Sequence, residues 1–232
     1  MFESRRKANT MRRNAQIVAI IFTMTALLLL VVAMATTFLL FYYAALMLLI
    51  VAVLTFFSGG GTWSVGAEGE EIVAKHLSLL SDPYQVIHDV VLPNMRGNID
   101  HIVLGPNGVF VIETKNNNGL ISCNGDLWMQ RKIGQLGTPY LGKIGCPSKQ
   151  AKRYAIFLRD FIRDKLTINI YVNCIVVFTN QEAILQISNP TVFVLRPDEL
   201  CEFIKRYNSN TLLSDKELEK LKELIRPYSQ FH

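Results

Sequence analysis

Asp100, Glu113 and Lys115 are the residues whose types and spacing could do chemistry together. Two carboxylates facing each other on a sheet repel, and the pair is comfortable when a cation lies between them or one of them is protonated. Mg²⁺ is the natural cation, because it takes carboxylate oxygens, keeps several waters and commonly binds through one or two carboxylates plus substrate phosphate oxygens. Such an ion lowers the pKa of a bound water and offsets charge on phosphoryl oxygens, while an adjacent ammonium can position the water or balance the developing charge. The implied chemistry is phosphodiester hydrolysis. The blander alternative makes Glu113 and Lys115 the solvated end of a strand, where polarity resumes before Asn116-Asn117-Asn118-Gly119.

The elements that must position these groups are two apolar, β-branched runs, Ile99 to Leu104 and Val109 to Lys115, joined by Gly105-Pro106-Asn107-Gly108. Bounded this way, they predict a hairpin. With Pro106 and Asn107 as loop residues, Gly105 faces Gly108, Leu104 faces Val109, and counting outward brings Asp100 opposite Glu113 on one face. Residues two apart share a face, so Lys115 joins them while Thr114 points away. A left-handed bulge at Gly108 would slip the register by one and remove Asp100 from that face. His101 points to the other side and reads as a packing residue.

Gly97-Asn98-Ile99-Asp100-His101-Ile102-Val103 followed by Gly108-Val109-Phe110-Val111-Ile112-Glu113-Thr114-Lys115 resembles the nuclease-related domain (NERD), a branch of the PD-(D/E)XK nuclease-like superfamily. Gly66-Ala67-Glu68-Gly69-Glu70 is similar to the family's opening helix, and Gln150 with Tyr154 matches its Gln-x-x-x-Tyr signature. The resemblance spans roughly Val65 to Thr179. It implies a nuclease fold, a Mg²⁺ requirement and roles for Asp100, Glu113 and Lys115.

The supporting residues have readings of their own. Pro147 to Leu166 predicts a helix with Ala151, Tyr154, Ala155, Leu158 and Ile162 on one stripe. Gln150, one turn before Tyr154, sits beside that stripe, where an unpartnered amide costs about 1–3 kcal/mol. Its partner would be a water, a phosphate or the Glu113 carboxylate, or else the unpaired backbone amides of the helix start. Glu70 opens a helix over about Gly66 to Leu80. It could reach the metal as a third carboxylate, or simply favour the positive end of the helix dipole.

The N-terminal part reads differently. No charged residue occurs from Ala15 through Ala67, and Ile17 to Phe57 is almost wholly apolar. One helix of that length would reach roughly 60 Å, twice a bilayer core, so two crossings are expected, near 17–34 and 38–57, turning at Ala35-Thr36-Thr37. Arg5, Arg6, Lys7, Arg12 and Arg13 against Glu3 favour a cytoplasmic N-terminus. Two crossings return the remaining chain to the cytoplasm. Ala33-Met34-Ala35 resembles a signal-peptidase site, whose use would leave one anchor and the same final side. The expected location is therefore the cell membrane, multi-pass, with the downstream domain cytoplasmic.

The net charge of +5 comes mostly from that tail, which leaves nineteen bases against eighteen acids beyond it. Locally the balance is uneven. Arg131 to Lys165 carries nine bases against Asp160 and Asp164. A basic helix beside a metal site suits a polyanion, with Lys149, Lys152 and Arg153 as nucleic-acid contacts. It could also be a solvated face, or one resting on anionic lipid. Cys123, Cys146, Cys174 and Cys201 lack zinc spacing and read as reduced thiols. No glycine-rich phosphate loop is present, so a nucleotide triphosphatase is not supported.

The expected architecture is α/β: a restriction-endonuclease-like central mixed β-sheet flanked by helices, preceded by a two-helix transmembrane hairpin. Its parts would be a basic tail (1–16), two transmembrane helices (17–57), a linker (58–64), a NERD domain (65–195) and a helical extension (196–232). The expected function is Mg²⁺-dependent hydrolysis of nucleic acid, DNA foremost, with Mn²⁺ as a substitute ion. Asp100 and Glu113 would hold the metal, Lys115 and Gln150 would complete the catalytic set, and Glu70 and Tyr154 would support it. A catalytically silent module that binds nucleic acid or protein at the membrane is the alternative.

Overall fold

A computed structural model describes residues 3–36, 39–58, 61–134, 137–209 and 212–230, with side chains over 16–32, 42–56, 66–134, 137–209 and 212–230. The chain forms two units, Met1–Glu68 and Gly69–His232.

In the first unit, α1 (Glu3–Thr36) and α2 (Leu39–Ser58) pack on each other. Small residues make the contact face: Ala19 and Ala26 on α1, Ala45 and Ala52 on α2, are buried, while larger apolar side chains such as Ile20, Leu28, Leu46 and Leu54 point outward. Thr23, Thr25 and Thr55 turn their hydroxyls onto carbonyls of the preceding turn, which satisfies them inside an apolar helix. Among the described residues, no helix is long and apolar enough to cross a membrane. This overturns the expected transmembrane hairpin, and with it the membrane partner and the multi-pass location. The basic residues Arg5, Arg6, Lys7, Arg12 and Arg13 fall within α1, which begins at Glu3. Thr37 of the expected turn and Gly59-Gly60 of the expected linker lie outside the described residues. Ser58 closes α2, and Gly61 opens α3, which runs to Leu77.

The second unit holds two mixed sheets. The five-stranded sheet has the order β1 (Gln85–Val90), β2 (Ile99–Gly105), β3 (Gly108–Lys115), β7 (Val172–Phe178), β9 (Phe193–Leu195). The four-stranded sheet has the order β6 (Pro139–Gly142), β5 (Leu127–Ile133), β4 (Gly119–Asn124), β8 (Ala183–Ser188). A single central sheet was expected, so β6 and β8 are additions. Strand β3 lies mid-sheet, antiparallel to β2 and parallel to β7, and its residues from Gly108 to Thr114 are buried. Such double coverage explains why the run is continuously apolar rather than alternating.

Two cores sandwich the first sheet. Ile102, Leu104, Val109 and Val111 face α4 (Pro147–Leu166) through Tyr154, Ala155, Leu158 and Ile162, joined by Leu218, Leu221 and Ile225 of α6 (Asp215–Ile225). Val103, Phe110 and Ile112 face Val73 and Leu77 of α3 and Leu200 and Ile204 of α5 (Pro197–Arg206). A third core, with Ile121, Trp128, Ala151, Val176 and Phe178, joins the second sheet to α4 and β7. Beyond α6, Val90 bridges Ser229 and Gln230 donates to the Asp89 carbonyl, so the chain end borders β1.

Candidate active site

The hairpin register is the simple one. Gly105 pairs with Gly108 and Leu104 with Val109, continuing to His101 with Ile112, so the next step sets Asp100 opposite Glu113. No residue is inserted; Gly108 takes φ +130° without displacing the count. Asp100 and Glu113 therefore share the face that looks toward α4, and both are buried, Glu113 to 2% exposure.

Each carboxylate has a defined partner. The Thr114 amide donates to Asp100 Oδ2 at 2.8 Å, tying β2 to β3 just beyond the last paired residues. Lys115 Nζ donates to Glu113 Oε1 at 2.6 Å and also to Gln150 Oε1 at 3.3 Å. Gln150 thus finds its partner in Lys115 rather than in Glu113 or the backbone of its own helix. Its backbone amide is occupied by the Cys146 carbonyl. Glu113 Oε2 is buried without a hydrogen-bond partner.

The field follows from this packing. Burial, then the Glu113 and Glu70 charges, push the Asp100 carboxyl well above its usual range, against the Thr114 amide and Lys115. Burial also raises Glu113, opposed by the charge and hydrogen bond of Lys115 and by Arg153, and helped upward by Glu70. Glu70 therefore belongs to the same electrostatic group. Its helix is brought close by Gly69: a Cβ there would fall 2.9 Å from Asn116 Cβ and from Thr179 Oγ1, at the ends of β3 and β7. Among the described residues, however, no group of three or more His, Cys, Asp or Glu is arranged to hold a metal ion.

Tyr154 forms the wall below. It is buried in the core, and its hydroxyl fills the space where a Cβ on Gly97 would stand, 2.7 Å away, with Gly97 at φ +90°. Arg153, exposed, lies over the Tyr154 ring at 5.0 Å. Lys149 is exposed on the first turn of α4. Lys152, expected among the nucleic-acid contacts, is committed elsewhere: its ammonium meets both Asp126 oxygens at 3.0 Å. Hydrogen bonds from Thr191, Ser148 and Lys152 hold Asp126 down to about 2.

Sequence reasoning missed this anchor, because Asp126 and Lys152 are brought together only by the packing of the β4–β5 turn on α4. It also missed Gln130, fully buried, which accepts from Asn117 and donates to the Asn118 carbonyl, fixing the segment after Lys115. No local signal marked it, because Leu127-Trp128-Met129-Gln130-Arg131-Lys132-Ile133 does not alternate in polarity. His101 is buried on the opposite face, its Nδ1 2.7 Å from Nδ1 of His88. The four cysteines are free thiols outside any disulfide, and burial pushes Cys174 up to about 11.

The chain shares 48% identity over 61 residues with an uncharacterized protein of Bacillus anthracis, an overlap of 24% of this chain and 28% of that protein. It thus spans well under a third of the length of that relative. No solved structure matches. Residues 65–179, which include Asp100, Glu113, Lys115, Gln150 and Tyr154, match the family model of the nuclease-related domain, NERD.

Proposed function

We propose that this domain hydrolyses nucleic-acid phosphodiester bonds with a Mg²⁺ ion held by Asp100 and Glu113. The observation that carries the reading is Glu113 itself. One of its oxygens is taken by Lys115, the other is buried without a hydrogen-bond partner, and a second buried carboxyl lies across the strand pair. A buried, half-satisfied carboxylate beside another is costly, and a cation offsets both the desolvation and the repulsion. The donor set fits a hard divalent ion, which needs only one or two carboxylates when waters and phosphate supply the rest. Mn²⁺, which takes the same oxygen ligands, would substitute. Bound there, the ion would act as a Lewis acid and make water nucleophilic near neutral pH.

The protein's own groups do the positioning. Lys115 is held between Glu113 and Gln150, which aims its ammonium at the carboxylate pair, where it can orient water or balance charge on a phosphoryl oxygen. Gln150 holds Lys115, and Tyr154 closes the wall against Gly97. Glu70 strengthens the negative field that draws a cation. Lys149 and Arg153, exposed on the same end of α4, would receive the flanking phosphates of a DNA strand.

One observation favours a second reading, a binding module that does not cut: the Thr114 amide already sits on Asp100 and the Lys115 ammonium on Glu113, so the two carboxyls are held in part without an ion. The two readings separate in one assay. The full chain is incubated with single- and double-stranded DNA and RNA, with Mg²⁺, Mn²⁺ or chelator, beside Glu113→Ala and Lys115→Ala. Metal-dependent cleavage lost in both variants supports the hydrolase. Binding without cleavage under every metal condition overturns it in favour of the module.

A further inference from the structure

From Leu127 to Arg159 the chain contains no Asp or Glu, yet carries Arg131, Lys132, Lys143, Lys149, Lys152, Arg153 and Arg159. This tract comprises β5, β6 and the first half of α4. Among the described residues, Arg131, Lys132, Lys143 and Lys149 enter none of the ion pairs, whereas Lys152 is neutralised by Asp126.

The register sorts these charges by face. Lys132 pairs with Tyr140 across β5 and β6, so their side chains stand together, while Arg131 pairs with Leu141 on the other face. The Lys132 face also carries Trp128, whose indole donates to Ser148 Oγ at the start of α4, and Gln130, which grips Asn117 and Asn118. It is therefore the face turned toward the end of β3. Lys132 Cγ would lie 3.5 Å from a Cβ on Gly119, four residues past Lys115, so at most about 14 Å of chain separates this row from the catalytic lysine. Tyr140 is 52% exposed, and its ring edge would lie 3.9 Å from a Cβ on Gly134.

We infer that the Lys132–Tyr140 pair is a nucleotide-binding step beside the active site, with Tyr140 stacking on an unpaired base and Lys132 contacting its phosphate. An exposed ring next to an unneutralised ammonium is what single-stranded nucleic acid recognises, since any unpaired base offers a π-face and the backbone is anionic. In a duplex the base faces are hidden, so the preferred substrate has a single-stranded segment at the site. This inference rests on the nucleic-acid reading above and extends it to a substrate class.

The test needs no cleavage. In chelator, fluorescence anisotropy is measured for the full chain with a labelled thymidine oligonucleotide, an abasic oligonucleotide of equal length and a duplex. The thymidine strand should bind tightest. Tyr140→Ala should weaken it roughly tenfold without affecting the abasic strand, and Tyr140→Phe should retain it. Lys132→Ala should lower the salt dependence by about 0.7 in log–log slope, with Arg131→Ala, on the other face, serving as the equal-charge control. Equal binding by wild type and Tyr140→Ala, or equal losses from Lys132→Ala and Arg131→Ala, overturns the inference alone. No binding of any strand by wild type overturns it together with the nucleic-acid reading.

Discussion

Lys115 reaches its same-strand neighbour Glu113 at 2.6 Å, and the pair sits where β3 leaves the interior, with Glu113 buried and Lys115 partly exposed. The ammonium therefore works at a boundary: it steadies a carboxylate that water does not reach while remaining open to an incoming anion.

Removing that ammonium should separate structure from chemistry. Lys115→Ala is expected to lower metal-dependent cleavage by roughly 10²–10³-fold, the usual loss for one electrostatic group at a reacting oxygen. Glu113→Gln should abolish the metal response while keeping the shape of the side chain. Circular dichroism on both variants checks that the fold persists, and initial rates against Mg²⁺ concentration read the effect.

The buried carboxyl of Asp100 should make the metal-free protein less stable as pH rises. Its native pKa lies above the ordinary value of 3.8, so above that value the native state holds protons that the unfolded chain has released. Stability contributed by the neutral form is complete at acid pH and declines as pH climbs through the raised value. Asp100→Asn should flatten the decline. Melting curves in chelator at a series of pH values rising from 3.8 test this, and added Mg²⁺ should stabilise wild type most at the upper end.

Gly97→Ala should cost about 1–3 kcal/mol, because it forces a side chain into a positive-φ position as well as against the Tyr154 hydroxyl. Combining it with Tyr154→Phe should recover the steric part and leave the backbone part. Urea denaturation of the single and double variants measures both.

At the start of α6, Ser214 accepts from the Glu217 amide, and Glu217 accepts from the Ser214 amide. Ser214→Ala should therefore cost about 1 kcal/mol. Because Leu218, Leu221 and Ile225 bring α6 into the main core, the loss should appear in global unfolding rather than as local fraying. Equal changes in near- and far-ultraviolet circular dichroism would show this.

How much of this was legible depended on whether the signal was local. The Gly105–Gly108 turn carries its own register, so Asp100 could be set opposite Glu113 by counting, and Pro147 with the Ala151–Ile162 stripe marked α4 to its observed ends. Strand β8 was not legible, because half of its residues are exposed and its partner β4 is distant in sequence. Strand β6 is four residues long, begins with Pro139 and lies among glycines. Glycines also disguised the start of α3, which holds Gly61 and Gly66 within the helix against their propensity. The apolar N-terminal run was read correctly as two helices, but the membrane assignment drawn from hydropathy is not supported by the described residues. The Lys115–Gln150 contact was half visible: the sequence demanded a partner for Gln150 without naming it.

Strand β3 is hydrogen-bonded along both edges, to β2 and to β7, and carries Glu113 and Lys115 at its end. Its backbone cannot shift without opening two ladders at once, so its amides should be among the last to exchange with deuterium. If the proposed substrate is a nucleic-acid strand, adaptation to its shape would come from the periphery, where β6 is the edge strand of the smaller sheet and β5 its neighbour. On the proposed reading, the arrangement is a fixed anvil with an adjustable rest: Glu113 and Lys115 would hold still while a substrate is brought to them.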